Sequence, residues 1–320
     1  MKAVVVSAFG GPEVLRVGTA PDPVAGPGQV VVAVRAAGVN PVETYIRAGT
    51  YARKPNLPFT PGTDSGGIVE AVGSGVTRVR RGDRVWTAGS VSGTYADLTI
   101  CREADVHPLP ARASFAQGAA LGVPYSTAHH ALLGVGHAKA GETVLVHGAS
   151  GGVGTAAIQL ARAAGCTVIG TTGTDEGGRL VLAQGAAHAF PHGTGLRDRV
   201  MEATGGRGVD VILEMLANEN LGRDLELLAP GGRAVVIGSR GCVEVNPRDL
   251  MARGASIHGV MLWLVPEAER AAISAALLNG LETGTLNPVI GREFPLAEAP
   301  AAHEAVMAPG HRGKIVLTTG

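Results

Sequence analysis

Three glycines at intervals of three, Gly148, Gly151 and Gly154, lie in the stretch TVLVHGASGGVGTAAIQLARAA at residues 143–164. A residue without Cβ lets the main chain come close to a bulky anion, and the free N–H groups at a helix start point at its negative charge. The flanks supply both requirements. Residues 143–147 form a short apolar run rich in β-branched side chains, as a buried strand should, and Val153, Ala156, Ala157, Leu160, Ala161 and Ala164 follow at helical spacing. Strand, glycine turn and helix in that order form the context in which Ser150, Gly151, Gly152, Val153 and Gly154 would cradle a dinucleotide pyrophosphate. The spacing is GxxGxxG rather than GxGxxG, so a bare glycine turn between strand and helix is the competing explanation.

A second strand pattern follows at residues 167–171. A carboxylate at the end of such a strand binds the adenosine ribose of NAD and repels the ribose phosphate of NADP. Here the run is Thr171, Thr172, Gly173, Thr174, with no acid before Asp175, and Arg179 stands a few residues on, within reach of a phosphate. The pattern predicts NADPH in preference to NADH. The alternative for Arg179 is a solvated charge on a helix. Elsewhere, residues 40–61 hold Asn40, Tyr45, Arg47, Tyr51, Arg53 and Lys54, a heavy polar and aromatic load for a chain with only 3% aromatic residues. Cys101, Cys166 and Cys242 are far apart and in no CxxC pair, which predicts reduced thiols and no structural zinc cluster.

The elements that must position these residues are legible in outline. Residues 1–123 contain short apolar runs at 3–7, 29–37, 66–72, 84–86 and 96–100, punctuated by Gly and Pro, which predicts a compact, barrel-like β domain. Residues 114–134 read as helical with a break at Pro124. From 143 to 262 strand patterns (143–147, 167–171, 187–190, 209–213, 233–237, 256–261) alternate with helical ones (178–184, 196–203, 221–228). That alternation predicts an α/β fold with a doubly wound parallel sheet. A helix over 266–284, a short one over 297–307 and a last strand over 314–318 make a tail too small to be a domain, and it is expected to return to the first one.

Composition narrows the function classes. The 27 basic and 27 acidic side chains balance, which gives no electrostatic reason to expect nucleic acid or an anionic membrane as partner. No run approaches the ~18 apolar residues of a membrane span, and the N-terminal apolar run is too short for a signal peptide. The expectation is a cytoplasmic protein.

Three stretches carry a family resemblance: GVNPVETYIRAGTYARKP at 38–55, VLVHGASGGVG at 144–154, and EMLANENL at 214–221 with GSRG at 238–241. Over its whole length the chain resembles the medium-chain dehydrogenase/reductase superfamily, and within it the zinc-free, zeta-crystallin-like quinone oxidoreductases. The resemblance implies a Rossmann dinucleotide-binding domain at 124–264 and a GroES-like β-barrel catalytic domain at 1–123, completed by 265–320, with the active site in the cleft between. It implies that Gly173 and Arg179 lie near the ribose phosphate of NADPH, where the family usually has lysine at Arg179. His192 and Asn218 would lie along the cofactor, and Ile237, Gly238, Ser239 and Arg240 at its nicotinamide end. Tyr45 would approach the nicotinamide, with Asn40 and Tyr51 beside it. The loop around His192 departs from the family in Pro191 and Gly193.

Related zinc alcohol dehydrogenases place a cysteine where this chain has Asn40 and a histidine where it has Thr63. Without a His or Cys cluster no tetrahedral site can be assembled there, so no metal is expected. Without that Lewis acid, the expected substrate is an acceptor that is already electron-poor. The resemblance implies a quinone, reduced in one-electron steps to semiquinones, with Tyr45, Tyr51 and Asn40 orienting it. A phenol could donate to a quinone oxygen as charge develops; the alternative is that these residues anchor a loop beside an apolar slot. Two other functions stay open: an NADPH-dependent enone or alkenal reductase, and an NADPH-binding crystallin-like or RNA-binding protein. The apolar stretch SIHGVMLWLV at 256–265 would be an exposed sheet edge if unpaired, and relatives pair it across a two-fold, which implies a homodimer or homotetramer.

Overall fold

The computed structural model describes residues 1–319. In chain order the first elements are strands β1 (Lys2–Val5), β2 (Arg16–Thr19) and β3 (Gln29–Val39), helix α1 (Pro41–Ala48), strands β4 (Asp64–Val72), β5 (Arg84–Ala88), β6 (Leu98–Arg102) and β7 (Val106–Pro108), and helix α2 (Phe115–Gly118). After wide, π-type turns around the short helix α3 (Ser126–His129) come β8 (Thr143–Val146), α4 (Gly152–Ala163), β9 (Thr167–Thr172), α5 (Asp175–Ala183), β10 (His188–Pro191), α6 (Leu196–Ala203), β11 (Val209–Glu214), α7 (Ala217–Asp224), β12 (Leu228–Val236), α8 (Pro247–Arg253) and β13 (Ser256–Gly259). The tail consists of α9 (Glu267–Thr283), β14 (Ile290–Pro295), α10 (Ala299–Met307) and β15 (Lys314–Thr318). The chain divides into two compact units, residues 1–123 with 274–320, and residues 124–273.

In the first unit β3 is the hub. It pairs antiparallel with β4, β6 and β15, and β5 and β7 extend the sheet beyond β4. The tail thus contributes its last strand directly to this sheet. Val34, Ala37 and Val39 of β3, Ile315 and Leu317 of β15, and Ala299, Ala302 and Val306 of α10 share one core. Packing is close enough that glycine is required in the strands: a Cβ on Gly66 would stand 2.1 Å from the carbonyl oxygen of Phe115.

The second unit has a six-stranded, all-parallel sheet in the order β10-β9-β8-β11-β12-β13. Renumbered within the unit this is 3-2-1-4-5-6, the Rossmann order, with its switch point between β8 and β11. The expected α/β fold is borne out. Val144–Val146 and all of β11 are buried, as strands covered on both faces must be. Leu145, Ile169, Ile212 and Leu213 are each at most 1% exposed, and each such side chain stabilises the unit by roughly 1.5–3 kcal/mol.

Five elements fall outside the expected pattern: β2, β7, β14, α1 and α8. β2 and β7 are too short and polar to announce themselves. Helices α1 and α8 each begin on an Asn cap followed by Pro, Asn40-Pro41 and Asn246-Pro247, and end on a left-handed glycine, Gly49 and Gly254. Among the described residues no helix is long and apolar enough to cross a membrane.

Candidate cofactor and acceptor sites

The glycine turn sits at the carboxyl end of the central strand. His147 N–H donates to Leu213 O at 3.0 Å, Ala149 N–H to Thr171 O at 2.9 Å and Gly151 N–H to Gly148 O at 3.0 Å, so the turn is stitched to both neighbouring strands. Gly148 has φ +55°, a conformation that costs a Cβ-bearing residue about 1 kcal/mol or more. A Cβ on Gly154 would lie 2.4 Å from Gly148 O and 2.6 Å from Ala149 Cα. Its absence lets α4 rise directly out of the turn. Gly151 caps α4 with extended backbone and no side-chain acceptor, so no side chain of the cap competes for the N–H groups of Gly152, Val153 and Gly154. A twelve-residue helix presented this way fits the phosphates of a dinucleotide.

The adenosine end also assembles. β9 closes on Thr172, and Thr174 caps α5 by accepting from Gly177 N–H at 3.0 Å. Thr172, Gly173, Thr174, Asp175, Gly178, Arg179, Leu182, Ala189, Phe190 and Pro191 line a cavity of about 280 Å³. His192 adjoins it: its N–H donates to Thr172 O at 3.2 Å, and a Cβ on Gly173 would lie 3.7 Å from its Cδ2. Gly173 just before α5, Arg179 on it and His192 just beyond β10 therefore meet here. A larger cavity of about 390 Å³ lies in the first unit, lined by residues such as Arg78, Asp83 and Pro108, and contains none of the expected site residues.

The remaining cofactor candidates meet around Met215. A Cβ on Gly148 would lie 3.7 Å from Met215 Cγ, and one on Gly238 only 2.5 Å from Met215 O. Ala217 N–H donates to Gly238 O at 2.9 Å, and Asn218 Oδ1 accepts from Arg240 N–H at 2.8 Å. Asn218 is thus tied to the 237–240 loop, whose Ser239 hydroxyl donates to Gly241 O at 2.9 Å.

In the first unit Tyr45 lies on α1, and the turn after the helix brings the N–H groups of Thr50 and Tyr51 back to Tyr45 O at 3.0 and 3.3 Å. Both tyrosines are half-buried. Asn40 differs: it is 2% exposed, and its amide is fully engaged. Its Nδ2 donates to Asp64 Oδ2 at 2.9 Å and Glu43 Oε1 at 3.2 Å, while its Oδ1 accepts from Lys314 Nζ. The amide expected to orient an acceptor instead anchors the start of α1, completing a capping box with Glu43.

That anchor belongs to a buried chain of polar groups. Glu43 Oε2 accepts from Asn40 N–H at 2.8 Å and Tyr95 Oη at 2.7 Å. Tyr95 Oη lies 3.1 Å from His303 Nε2, and Arg47 Nη1 3.4 Å from His303 Nδ1. Asp64 Oδ1 accepts from Val123 N–H at 2.8 Å, and Asp64 Oδ2 lies 3.4 Å from Lys314 Nζ. Burial pushes Glu43 up to about 7, with Lys314 opposing, and pushes His303 down to about 3. Burial also raises Asp64 and lowers Lys314, each against the pull of the other's charge. Sequence patterns gave no sign of these partners except the Asn40-Pro41-x-Glu43 cap. A zinc site does not fit here. Asn40 and Thr63 offer no thiolate or imidazole, and Asp64 is already paired with an ammonium group.

With the geometry in place, comparisons set the family. Residues 26–111 match the model of the alcohol dehydrogenase GroES-like domain, and residues 152–277 that of the zinc-binding dehydrogenases. A quinone oxidoreductase of Lama guanicoe is 51% identical over 320 residues, covering 99% of this chain and 97% of its own. The structure of the Escherichia coli quinone oxidoreductase complexed with NADPH superposes with a TM-score of 0.91 at 31% identity, over all of both chains. An NAD-dependent alcohol dehydrogenase superposes with a TM-score of 0.93 at 30% identity, again over all of both chains, so overall shape does not separate the two chemistries, whereas full-length identity does. The chain belongs to the medium-chain dehydrogenase/reductase superfamily and, within it, to the quinone oxidoreductases.

Proposed function

We propose that this chain is an NADPH-dependent quinone oxidoreductase that works without a metal ion. The observation that carries this is the 51% identity, end to end, with a quinone oxidoreductase. The residues support it independently: a glycine turn opens α4 at the switch point, and β9 ends on Thr172 without a carboxylate, the first acid, Asp175, standing on α5 in the same cavity as Arg179. In this reading residues 124–264 are the dinucleotide-binding domain and residues 1–123 with 265–320 the catalytic domain, whereas the compact units divide nine residues later, after residue 273.

NADPH, when bound, supplies the reducing equivalents. The N–H groups of Gly152, Val153 and Gly154 would hold its phosphates, with Ser150 and Gly151 lining the turn beside them, Gly173 would lie near the ribose phosphate and Arg179 would neutralise it. His192 and Asn218 line the path, and Ile237, Gly238, Ser239 and Arg240 bound the nicotinamide end. Tyr45 and Tyr51 orient the acceptor, a phenol donating to the quinone oxygen as negative charge develops there. Asn40 acts one step back by fixing the helix that carries Tyr45. The quinone is electron-poor before it binds, so positioning and hydrogen bonds suffice.

A homodimer or larger assembly is part of the proposal. β13 ends the sheet on its side, and Met261, Trp263 and Leu264 just beyond it are 45%, 46% and 81% exposed. Light scattering that finds only the 32.3 kDa single chain would remove this part. The three cysteines are unpaired, which suits a reducing, cytoplasmic setting. The activity itself is tested by NADPH-linked turnover of phenanthrenequinone against small enones. Quinone turnover that falls in Tyr45→Phe, at unchanged NADPH affinity, is expected. Turnover of enones alone would overturn it.

A further inference from the structure

Beneath the candidate cofactor loops the second unit buries a charged trio that none of the assignments above uses. His147, Glu214 and Asp224 are 2%, 0% and 1% exposed. His147 Nε2 lies 2.8 Å from Asp224 Oδ1 and 3.5 Å from Glu214 Oε2, and its Nδ1 lies 3.0 Å from Thr171 Oγ1. Glu214 Oε1 accepts from Leu216 N–H and from Asn220 Nδ2. The other two carboxyl oxygens, Glu214 Oε2 and Asp224 Oδ2, are buried without a donor. One oxygen of each carboxyl and a ring nitrogen of His147 lie within 4.8 Å of one another; two orphaned acceptors on such neighbouring carboxyls are an expensive arrangement in a dry interior, and a single proton shared by the pair removes the cost.

The trio's neighbours are the cofactor loops themselves. His147 precedes Gly148, and Thr171 precedes the Thr172–Thr174 segment. The backbone oxygen of Glu214 accepts from Ile237 and Gly238 N–H at 2.8 and 3.2 Å, and Asp224 closes the helix that carries Asn218. We propose that Glu214 holds a proton shared with Asp224, that His147 as an imidazolium clamps the pair, and that these positioning residues link NADPH binding to proton uptake. The cofactor half rests on the function proposed above.

The electrostatics agree in direction. Burial raises Glu214 to about 7, opposed by His147 and reinforced by Asp224. Burial works against a charged His147, but the bond to Asp224 and the charges of both carboxylates outweigh it. The other charged groups acting here are Arg223, which lowers His147 and Asp224, and His192, itself lowered by partial burial and by His147. The phosphates of NADPH would add negative charge above the trio and raise the proton affinity of Glu214 further. Binding above about pH 7 would then draw a proton in, with affinity falling by at most about tenfold per pH unit.

Two measurements test this. In the protein without nucleotide, the infrared difference between wild type and Glu214→Gln at about pH 6, where an ordinary glutamate is ionised, should contain a protonated-carboxyl stretch; its absence overturns the proton. Calorimetric titration with NADPH in two buffers of different ionisation enthalpy should show proton uptake in wild type, lost in Glu214→Gln, whose amide mimics the protonated acid. Equal uptake in both proteins overturns the linkage. A stoichiometric metal ion in purified protein that is absent from Glu214→Gln also overturns it, because three ligands would then satisfy the same oxygens. Failure of wild type to bind NADPH at all sinks the proposed function and the linkage together, while the infrared band still decides the proton.

Discussion

Replacing Lys314 by Met tests whether the buried network of the first unit is held by charge. Lys314 is 3% exposed, and its ammonium group meets Asn40 Oδ1 and Asp64 Oδ2. Around it stand Asp64, whose carboxylate also takes the Val123 N–H, and Glu43, raised by burial to about 7. Below that value Glu43 is neutral and the charges of Lys314, Asp64 and Glu43 sum to zero; above it these three carry one net negative charge. Methionine keeps the stem and removes the cation paired with Asp64, Arg47 standing farther off beside His303, so it leaves one buried carboxylate without its partner at acidic pH and two at alkaline pH. Breaking a buried pair from one side costs about 3–5 kcal/mol, and the loss should grow from pH 6 to pH 8, about one unit either side of Glu43. Trp86 is fully buried in this unit and the second tryptophan, Trp263, lies in the other unit, so in a Trp263→Phe background the fluorescence in urea reports the first unit's unfolding. The double variant Lys314→Met with Asp64→Asn should recover part of the loss, a coupling of about 1–3 kcal/mol. A loss below ~1 kcal/mol, or strictly additive single effects, would mean that packing rather than charge holds the strand to the helix.

Three further outcomes follow from particular contacts. Gly154→Ala places a methyl group 2.4 Å from Gly148 O; the turn must shift, so a loss of about 1–3 kcal/mol in thermal or urea stability is expected together with weaker NADPH binding. Arg179→Ala should weaken NADPH by roughly tenfold to a hundredfold and leave NADH unchanged in fluorescence titration, since a charge-assisted phosphate contact contributes about 1.5–3 kcal/mol; equal loss for both coenzymes would remove Arg179 from the ribose phosphate. Glu43 holds a proton in the folded protein between 4.5 and about 7 that the unfolded chain has released. Its contribution is therefore complete below 4.5 and lost as pH rises through 7, a fall on the order of 3 kcal/mol. Glu43→Gln should flatten that slope in pH-dependent urea titrations.

What the sequence revealed and what it hid divides along the range of the interactions. The Rossmann half rests on local signals: residues 143–147, the glycine turn and the Val153–Leu160 spacing lie within one stretch, and the central strands β8 and β11 are mostly apolar runs covered on both faces. Asn40-Pro41-x-Glu43 before an eight-residue helix is also a local signal, a capping box, but the same polar residues read equally well as side chains of a site. The buried networks are different in kind. Lys314 meets Asn40 across 274 positions and His147 meets Asp224 across 77, and neither pair leaves a periodic trace. In sequence Lys314 is an ordinary lysine at the start of an apolar strand.

The same difference in range separates two tasks the chain must perform. A dinucleotide is held mainly by backbone N–H groups, and backbone placement can be written locally with glycine, as Gly148 and Gly154 do here. Orienting an acceptor depends on where a side chain such as Tyr45 stands, and α1, only eight residues long, cannot fix that by itself. Its position is set from behind by Asn40, Glu43 and Arg47, which reach Asp64, Lys314, Tyr95 and His303 on four separate parts of the chain. An apolar core would hold the helix too, but it would tolerate sliding by a fraction of a turn. Directional bonds to buried partners permit one register, because any other would leave donors and acceptors unmatched in a dry interior. A precise acceptor geometry therefore accounts for why so small a helix is given a lysine, an arginine, two carboxyls and a histidine as its buried footing.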